Sequence, residues 1–246
     1  MEYSIVIPAH NEAVHLEPFV ASFLDSFPRE VLPSEIVLVE NGSTDGTLEA
    51  CYRLQRTYPK QIRVLSIGRA SYGEAIKQGM LQSRGTHISI LECDCLSSDF
   101  VHDSIRLFQT RKARFIVASK RHPDSVDERP WKRRMLTVLY NALLQGIFGY
   151  PGTDTHGLKS IEAGCAKQLC QLAITSDEVF QTEIVLLAWR LGVQIYERPI
   201  RIRETRPAPV AVFKRVPKVW DTVRHLRRSL SRFSEKSSPL RETEAS

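Results

Sequence analysis

Apolar and polar positions along the first half of the chain alternate between two rhythms. Short β-branched runs, "YSIVIP" (3–8), "EIVLVE" (35–40), "IRVLSI" (62–67), "HISILE" (87–92) and "RFIVAS" (114–119), read as buried strands. Between them, residues 11–26, 44–58, 73–84 and 98–112 carry helical spacing. Strand–helix alternation at this interval predicts an α/β fold, a mostly parallel, doubly wound sheet flanked by crossover helices. The second half reads differently. A helical run from Trp131 to Phe148 leads into "YPGTDTHGLKSI", then helices over 162–173 and 179–191 and a strand in "VQIYERPI". That half is placed to cap the carboxyl ends of the sheet, where ligands bind in open α/β folds.

Charge changes this picture at one end only. The net +6 rests on the segment from Arg201 to Phe233, which holds ten Lys/Arg against Glu204 and Asp221, so the body is near neutral. Within it, Val216, Val219, Trp220, Val223, Leu226, Leu230 and Phe233 recur at helical spacing, flanked by Lys218, Arg224, Arg227, Arg228 and Arg232. Residues 213–233 are therefore expected to form a basic amphipathic helix after a body of residues 1–212. Its stripe (216–233) suits either an anionic membrane surface or the protein's own body or a second subunit, which leaves a homo-oligomer open. Residues 234–246, "SEKSSPLRETEAS", are polar and expected to be disordered. A nucleic-acid module is disfavoured by the neutral body and the lack of interleaved aromatics. Five cysteines without disulfide spacing fit a reducing cytosol, and no signal peptide or run of about 18 apolar residues is present, so the expected location is cytoplasmic, with peripheral membrane contact left open.

Four motifs carry candidate chemistry. "NGSTDGT" directly follows the second strand; its short polar residues make a turn that presents amides and acceptors, Ser43 among them, beside the first strand. It lacks the G-x-G-x-x-G arrangement of a dinucleotide site. "ASYGEAIKQGM" puts Gly73 at a helix entrance, where backbone could approach a phosphate. "LECDCLSS" sets Glu92 and Asp94 against Cys93 and Cys95. On a continuing strand the two carboxylates share one face and the thiols the other, giving a hard-oxygen pair suited to Mg²⁺ or Mn²⁺. A zinc site is disfavoured, because no second cysteine pair completes four ligands. Finally, arginines follow strand ends: Arg121, Arg133 and Arg134, then Arg201, Arg203 and Arg206. Guanidinium forks of this kind match phosphate oxygens.

Taken in order, "SIVIPAHNEA", "EIVLVENGSTDGT", "SYGEAIKQGM" and "LECDCLSSDF" resemble the family 2 glycosyltransferases of the GT-A fold. "ASKR", "PWKRRML", "GTDTHGLKSI" and "VFQTEIVLLAWRLG" are similar to its polyprenyl-phosphate subgroup, which includes the dolichol-phosphate mannose synthases. The resemblance implies a Rossmann-like sheet and a metal-dependent, inverting transfer of a hexose. The donor would be of the GDP-mannose or UDP-glucose class and the favoured acceptor a polyprenyl phosphate. It implies that Pro8, His10, Glu12, Glu40, Asn41, Ser43, Gly73 and Asp94 serve the nucleotide sugar and that Glu92 and Asp94 hold Mg²⁺ or Mn²⁺. Asp94, Arg121, Arg133 and Glu183 would be catalytic, and Arg121, Arg133, Arg203 and Arg206 would meet the acceptor phosphate. Were the acceptor a sugar hydroxyl, Glu183 or Asp154 would be the base. The chain also departs from the pattern: Glu92 replaces an aspartate, Leu96 stands where a third ligand is usual, and "RETRPAP" replaces the family's "G-E-S-K". These departures motivate a rival reading, a weakened nucleotide- or lipid-binding subunit.

Overall fold

The computed structural model describes residues 2–27, 33–111, 113–202 and 220–232. Two runs form the centre of the sheet, β1 (Tyr3–Ala9) and β2 (Glu35–Glu40), both buried along their whole length. Continuous apolar runs of this kind are stable only when helices cover both faces, as in parallel sheets. Around them lie β3 (Ile62–Ser66), β4 (His87–Ile90), β5 (Phe115–Ser119), β7 (Lys159–Glu162) and β8 (Ile195–Pro199). Among the described residues these seven make one sheet in the order β3-β2-β1-β4-β7-β5-β8, with β6 (Val126–Asp127) and β9 (Arg201–Ile202) as a small separate ladder. All sheet pairings are parallel except those of β7, which runs antiparallel to both β4 and β5.

The strand period of two sorts the core into layers. Val6, Val37, Val39, Ile88 and Ile90 face α3 (Tyr72–Gln82), α6 (Ala163–Leu172) and α7 (Phe180–Arg190). Ile5, Ile7, Ile36 and Leu38 face α1 (Leu16–Asp25), α2 (Thr47–Thr57) and α4 (Ser98–Arg111). The long α5 (Trp131–Phe148) meets the core through its second half, with Leu144 and Phe148 buried and Tyr140, Leu143 and Ile147 packed beside them.

Two readings need revision, and one alternative left open is answered for the described residues. Helix α1 begins at Leu16 rather than at 11, because residues 10–15 form a loop with Asn11 in the left-handed region (φ 55°). The strand β7 went unread, since "KSIE" is short and half polar. The C-terminal apolar stripe faces inward except at Trp220: over helical residues 220–232, Val223 and Leu226 are buried in the main core, with Leu230 packed beside them, while Trp220 is exposed. Arg224, Arg227, Arg228 and Arg232 are left on the exposed side. Of the partners left open for that stripe, Val223, Leu226 and Leu230 meet the protein's own body. Residues 213–219 and 233, and the tail 234–246, lie outside the described residues, as do Arg203 and Arg206.

Candidate active site at the carboxyl edge of the sheet

Strand β1 pairs with β2 on one side and β4 on the other, so the direction of winding reverses there, and the carboxyl ends of these strands are the position at which open α/β sheets bind ligands. Two loops meet over it. Asn11 accepts from the Thr44 amide through Oδ1 (2.9 Å), and its own amide donates to Ser43 Oγ (3.1 Å). The Glu12 amide donates to Thr47 Oγ1 (2.7 Å) and the Ala13 amide to Asp45 Oδ2 (3.2 Å). Pro8 is buried beneath, His10 is exposed above, and His10 Nδ1 lies 2.7 Å from the Asn41 carbonyl. Glu40 and Asn41 turn inward. Glu40 accepts from the Ser43 amide (2.5 Å) and the Ser66 hydroxyl (2.6 Å), and Asn41 Oδ1 accepts from the Ser71 amide (2.6 Å). Burial alone would raise the Glu40 pKa, but the Ser43 and Ser66 hydrogen bonds outweigh it and hold it low. Glu40 therefore braces the loop with both oxygens, rather than offering a free carboxylate to a ligand.

The acidic motif is a turn, not the end of a strand. Strand β4 stops at Ile90, and the Cys95 amide closes back on the Glu92 carbonyl at 2.8 Å. The cause lies in β1. Val6, whose carbonyl accepts from the Leu91 amide, and Pro8 two residues on both face β4, but Pro8 has no N–H to extend the ladder. The expected split of side chains nevertheless survives in part. Cys93 is buried with Sγ donating to the Pro8 carbonyl (3.3 Å), Cys95 is half-buried against the α1/α2/α4 layer, Glu92 is partly buried and Asp94 exposed.

Behind Glu92 runs a buried polar network. Tyr72 Oη donates to Glu92 Oε1 (3.2 Å), and Gln181 Nε2 donates to Tyr72 Oη (2.5 Å). Gln181 Oε1 in turn accepts from Lys159 Nζ, which also donates to the Gly157 carbonyl (2.8 Å). Burial pushes the Glu92 carboxyl up, while Lys120 and Lys159 pull it back and Asp94 adds to the rise. Burial and Glu92 together keep the Tyr72 hydroxyl protonated, so it remains a donor. Lys159 is fully buried, and burial drives its ammonium down to about 7. Beside it, Asp154 (1% exposed) pairs with Lys120 at 3.1 Å and accepts from the Lys120 and His156 amides. Burial would raise Asp154, but Lys120 and those amides leave it below the usual carboxylate range.

Lys159 has a consequence for stability. Its folded pKa of about 7 lies below the ordinary 10.5, so between those values the unfolded chain binds the extra proton and stability rises with pH. The buried thiols act oppositely, since burial holds Cys51, Cys95 and Cys170 at about 12, but only above their ordinary 9.0. Urea midpoints of the wild type should therefore climb from about pH 7 to 9, and Lys159→Met should flatten that climb. A slope that survives the substitution would assign the effect elsewhere.

Several predicted residues stand apart from this cluster. A Cβ on Gly73 would lie 2.3 Å from the Asp177 carbonyl oxygen, so the space above it is filled by the chain's own 176–177 backbone and not open to a phosphate. Glu183 is fully buried and accepts from the Ile174 (2.8 Å) and Thr175 (2.9 Å) amides and the Thr175 hydroxyl. Both its oxygens hold the α6–α7 connection. Arg121 is exposed just beyond β5, and Arg133 is partly buried in the first turn of α5. Sequence reasoning passed over Lys120, Lys159, Tyr72, Gln181 and His156. The one available signal was Lys159 inside an otherwise strand-like "LKSI". Its neighbour Gly157 is required there, since a Cβ would meet the Ala118 carbonyl oxygen at 1.6 Å.

A reversal of winding, two loops bolted over it and a paired acidic turn are the features of a nucleotide-sugar transferase of the GT-A fold. Residues 4–166 match the glycosyl transferase family 2 description, and the chain belongs to that family. It is 28% identical over 232 residues to the dolichyl-phosphate beta-glucosyltransferase of Saccharomyces cerevisiae, covering 85% of this chain and 69% of that one. The enzyme of the same description from Trichomonas vaginalis is 25% identical, with 82% and 65% covered, so the chain spans about two thirds of these relatives. Among solved structures, glucosyl-3-phosphoglycerate synthase from Mycobacterium tuberculosis with Mn²⁺, UDP-glucose and phosphoglyceric acid aligns with a TM-score of 0.67 at 19% identity, covering 93% of this chain and 79% of that one. Mannosyl-3-phosphoglycerate synthase from Rubrobacter xylanophilus gives 0.67 at 15% identity, with 97% and 75% covered.

Proposed function

We propose that this protein transfers glucose from UDP-glucose to a polyprenyl phosphate in a single inverting displacement assisted by Mg²⁺ or Mn²⁺. The observation that carries the acceptor class is the state of its acids. A sugar hydroxyl needs a base, and both candidates are spent, Glu183 on the 174–175 backbone and Asp154 on Lys120. A phosphate acceptor arrives already anionic and needs no base. The buried imidazole beside this network, His156, is held near pKa 4 by burial and by Lys159 and Lys120, which makes it a weak base at neutral pH.

The lipid character of the acceptor is supported by α5. Trp131, Met135 and Leu139, four residues apart on one helix face, are 64%, 48% and 60% exposed, and Lys132 and Arg134 beside them are exposed as well. Apolar side chains with a basic flank suit the surface from which a polyprenyl chain would be presented. Arg121 and Arg133 are assigned to phosphate groups of donor or acceptor, as are Arg203 and Arg206. Glucose and UDP are favoured over mannose and GDP by the dolichyl-phosphate glucosyltransferase relatives and the UDP-glucose-bound structural neighbour.

The cation fits the residues present. Asp94 is exposed at the tip of its turn, and Glu92 Oε2 accepts no hydrogen bond among the described residues. No cluster of three or more His, Cys, Asp or Glu able to hold a metal occurs among them, so the protein would supply two oxygen ligands and leave the rest to diphosphate and water. That is the usual arrangement for a magnesium-type ion on a nucleotide. When bound, it would neutralise charge developing on the leaving diphosphate. No described helix is long and apolar enough to cross a membrane.

The test is transfer of labelled glucose from UDP-glucose to polyprenyl phosphate in detergent with Mn²⁺, run beside GDP-mannose as donor and 3-phosphoglycerate as acceptor. Lipid-linked glucose is the expected product. Transfer to phosphoglycerate instead, or to nothing, would overturn the acceptor assignment.

A further inference from the structure

Four side chains from four separate elements join Lys159 to the proposed cation ligand Glu92: Lys159 on β7, Gln181 on α7, Tyr72 on α3 and Glu92 in the turn after β4. Each link has one workable polarity. Lys159 Nζ donates to Gln181 Oε1, which leaves the Gln181 NH₂ to donate to Tyr72. Tyr72 then accepts from Gln181 and has its own hydrogen left for the Glu92 carboxylate. The chain thus begins on a cation and ends on an anion, with every hydrogen bond pointing the same way, the arrangement in which such bonds reinforce one another.

Lys159 is otherwise hard to account for. It is fully buried and touches no acid directly; its contacts are the Gly157 carbonyl and Gln181. A lone buried ammonium is costly unless it is compensated, and among the described residues the neighbouring Asp154 is already paired with Lys120. Asp154 is the stronger of the two acids acting on Lys159 and is shared with Lys120; the other is Glu92, two side chains away along the hydrogen-bond chain.

We propose that Lys159, Gln181 and Tyr72 act as a unit of positioning residues that fixes the Glu92 carboxylate, turning Oε1 towards Tyr72 and leaving Oε2 for the divalent cation. This rests on the reading of Glu92 and Asp94 as cation ligands. Partners of metal ligands typically set affinity by about ten- to a hundredfold.

The experiment measures Mn²⁺ affinity of the full-length protein from the Mn²⁺ dependence of UDP binding in calorimetry, with the thermal midpoint recorded for each variant. Tyr72→Phe, which removes a single oxygen, should weaken Mn²⁺ by about tenfold or more and leave UDP affinity without metal unchanged. Gln181→Leu should weaken it comparably, and the double variant should be no worse than the worse single one, because the chain works as a unit. A merely structural role would lower the midpoint and leave Mn²⁺ affinity alone. Mn²⁺ affinity within twofold of wild type in Tyr72→Phe overturns the inference. An effect of Tyr72→Phe with none of Gln181→Leu overturns the part assigned to Lys159. Asp94→Ala separates the two levels of argument. If it keeps Mn²⁺-dependent UDP binding, or if the wild type shows none, the cation site and this inference fall together. If it loses that binding while Tyr72→Phe does not, only the inference falls.

Discussion

Asp94→Ala should abolish Mn²⁺-dependent UDP binding and lower glucosyl transfer about a thousandfold, a loss of ~4 kcal/mol in the transition state. The carboxylate sits exposed at a turn whose backbone is closed by the Glu92 carbonyl and Cys95 amide, so the fold does not depend on it. Its substitution should leave the urea midpoint within about 0.5 kcal/mol of wild type, as for other exposed positions. With two carboxylates offered, and Leu96 unable to serve as a third ligand, no cluster of three or more ligating side chains among the described residues is there to take over. The control is the other half of the motif. Cys93→Ala with Cys95→Ala should keep Mn²⁺-dependent binding, since Cys93 is buried and bonded to the Pro8 carbonyl on the far side of the turn. That pair should cost about 1–2 kcal/mol in stability, for a small cavity and one weak hydrogen bond. Binding lost in the cysteine variant and kept in Asp94→Ala would invert the assignment of oxygen and sulfur at this turn.

How far the sequence could carry the reading depended on whether each feature was local. Strands β1 and β2 were legible because a strand buried on both faces must be apolar through its centre, and the "IVIPA" of β1 and the "IVLV" of β2 meet that demand, with the polar Ser4, Glu35 and Glu40 confined to the strand ends. Strand β7 was not, because "KSIE" earns its place only from non-local partners, its antiparallel ladders to β4 and β5. Missing β7 meant missing Lys159, because the three successive hydrogen bonds that link it to Glu92 span 22, 109 and 20 positions of sequence. The acidic turn lies between these cases. Its residues were found, but the strand geometry used to place them failed on one imino nitrogen in the neighbouring strand, that of Pro8.

Glu183 shows the same limit from the other direction, and it supplies the sharpest contrast between a structural and a catalytic acid. A glutamate in the first turn of a helix after "VFQT" reads as a functional residue in sequence, yet its partners are the amides of Ile174 and Thr175 and the Thr175 hydroxyl, all within nine residues. Glu183→Ala would leave three donors unpartnered in a fully buried site and should lower stability by about 3 kcal/mol or more. Glu183→Gln keeps the volume but sets an NH₂ against an amide donor, so roughly half of that loss should remain. The consequence reaches α3 through the next residues, because the Ser176 carbonyl accepts from the Glu74 amide and the Ser71 hydroxyl, and the 176–177 backbone covers Gly73. Stability by urea titration and kcat on the folded fraction, measured together on Glu183→Gln, separate the two roles. A clamp predicts a lowered midpoint with kcat changed no more than about threefold, whereas loss of a general base costs roughly 10²–10⁴ in rate. The second pattern, at an unchanged midpoint, would return Glu183 to the reaction and with it an acceptor that needs a proton removed.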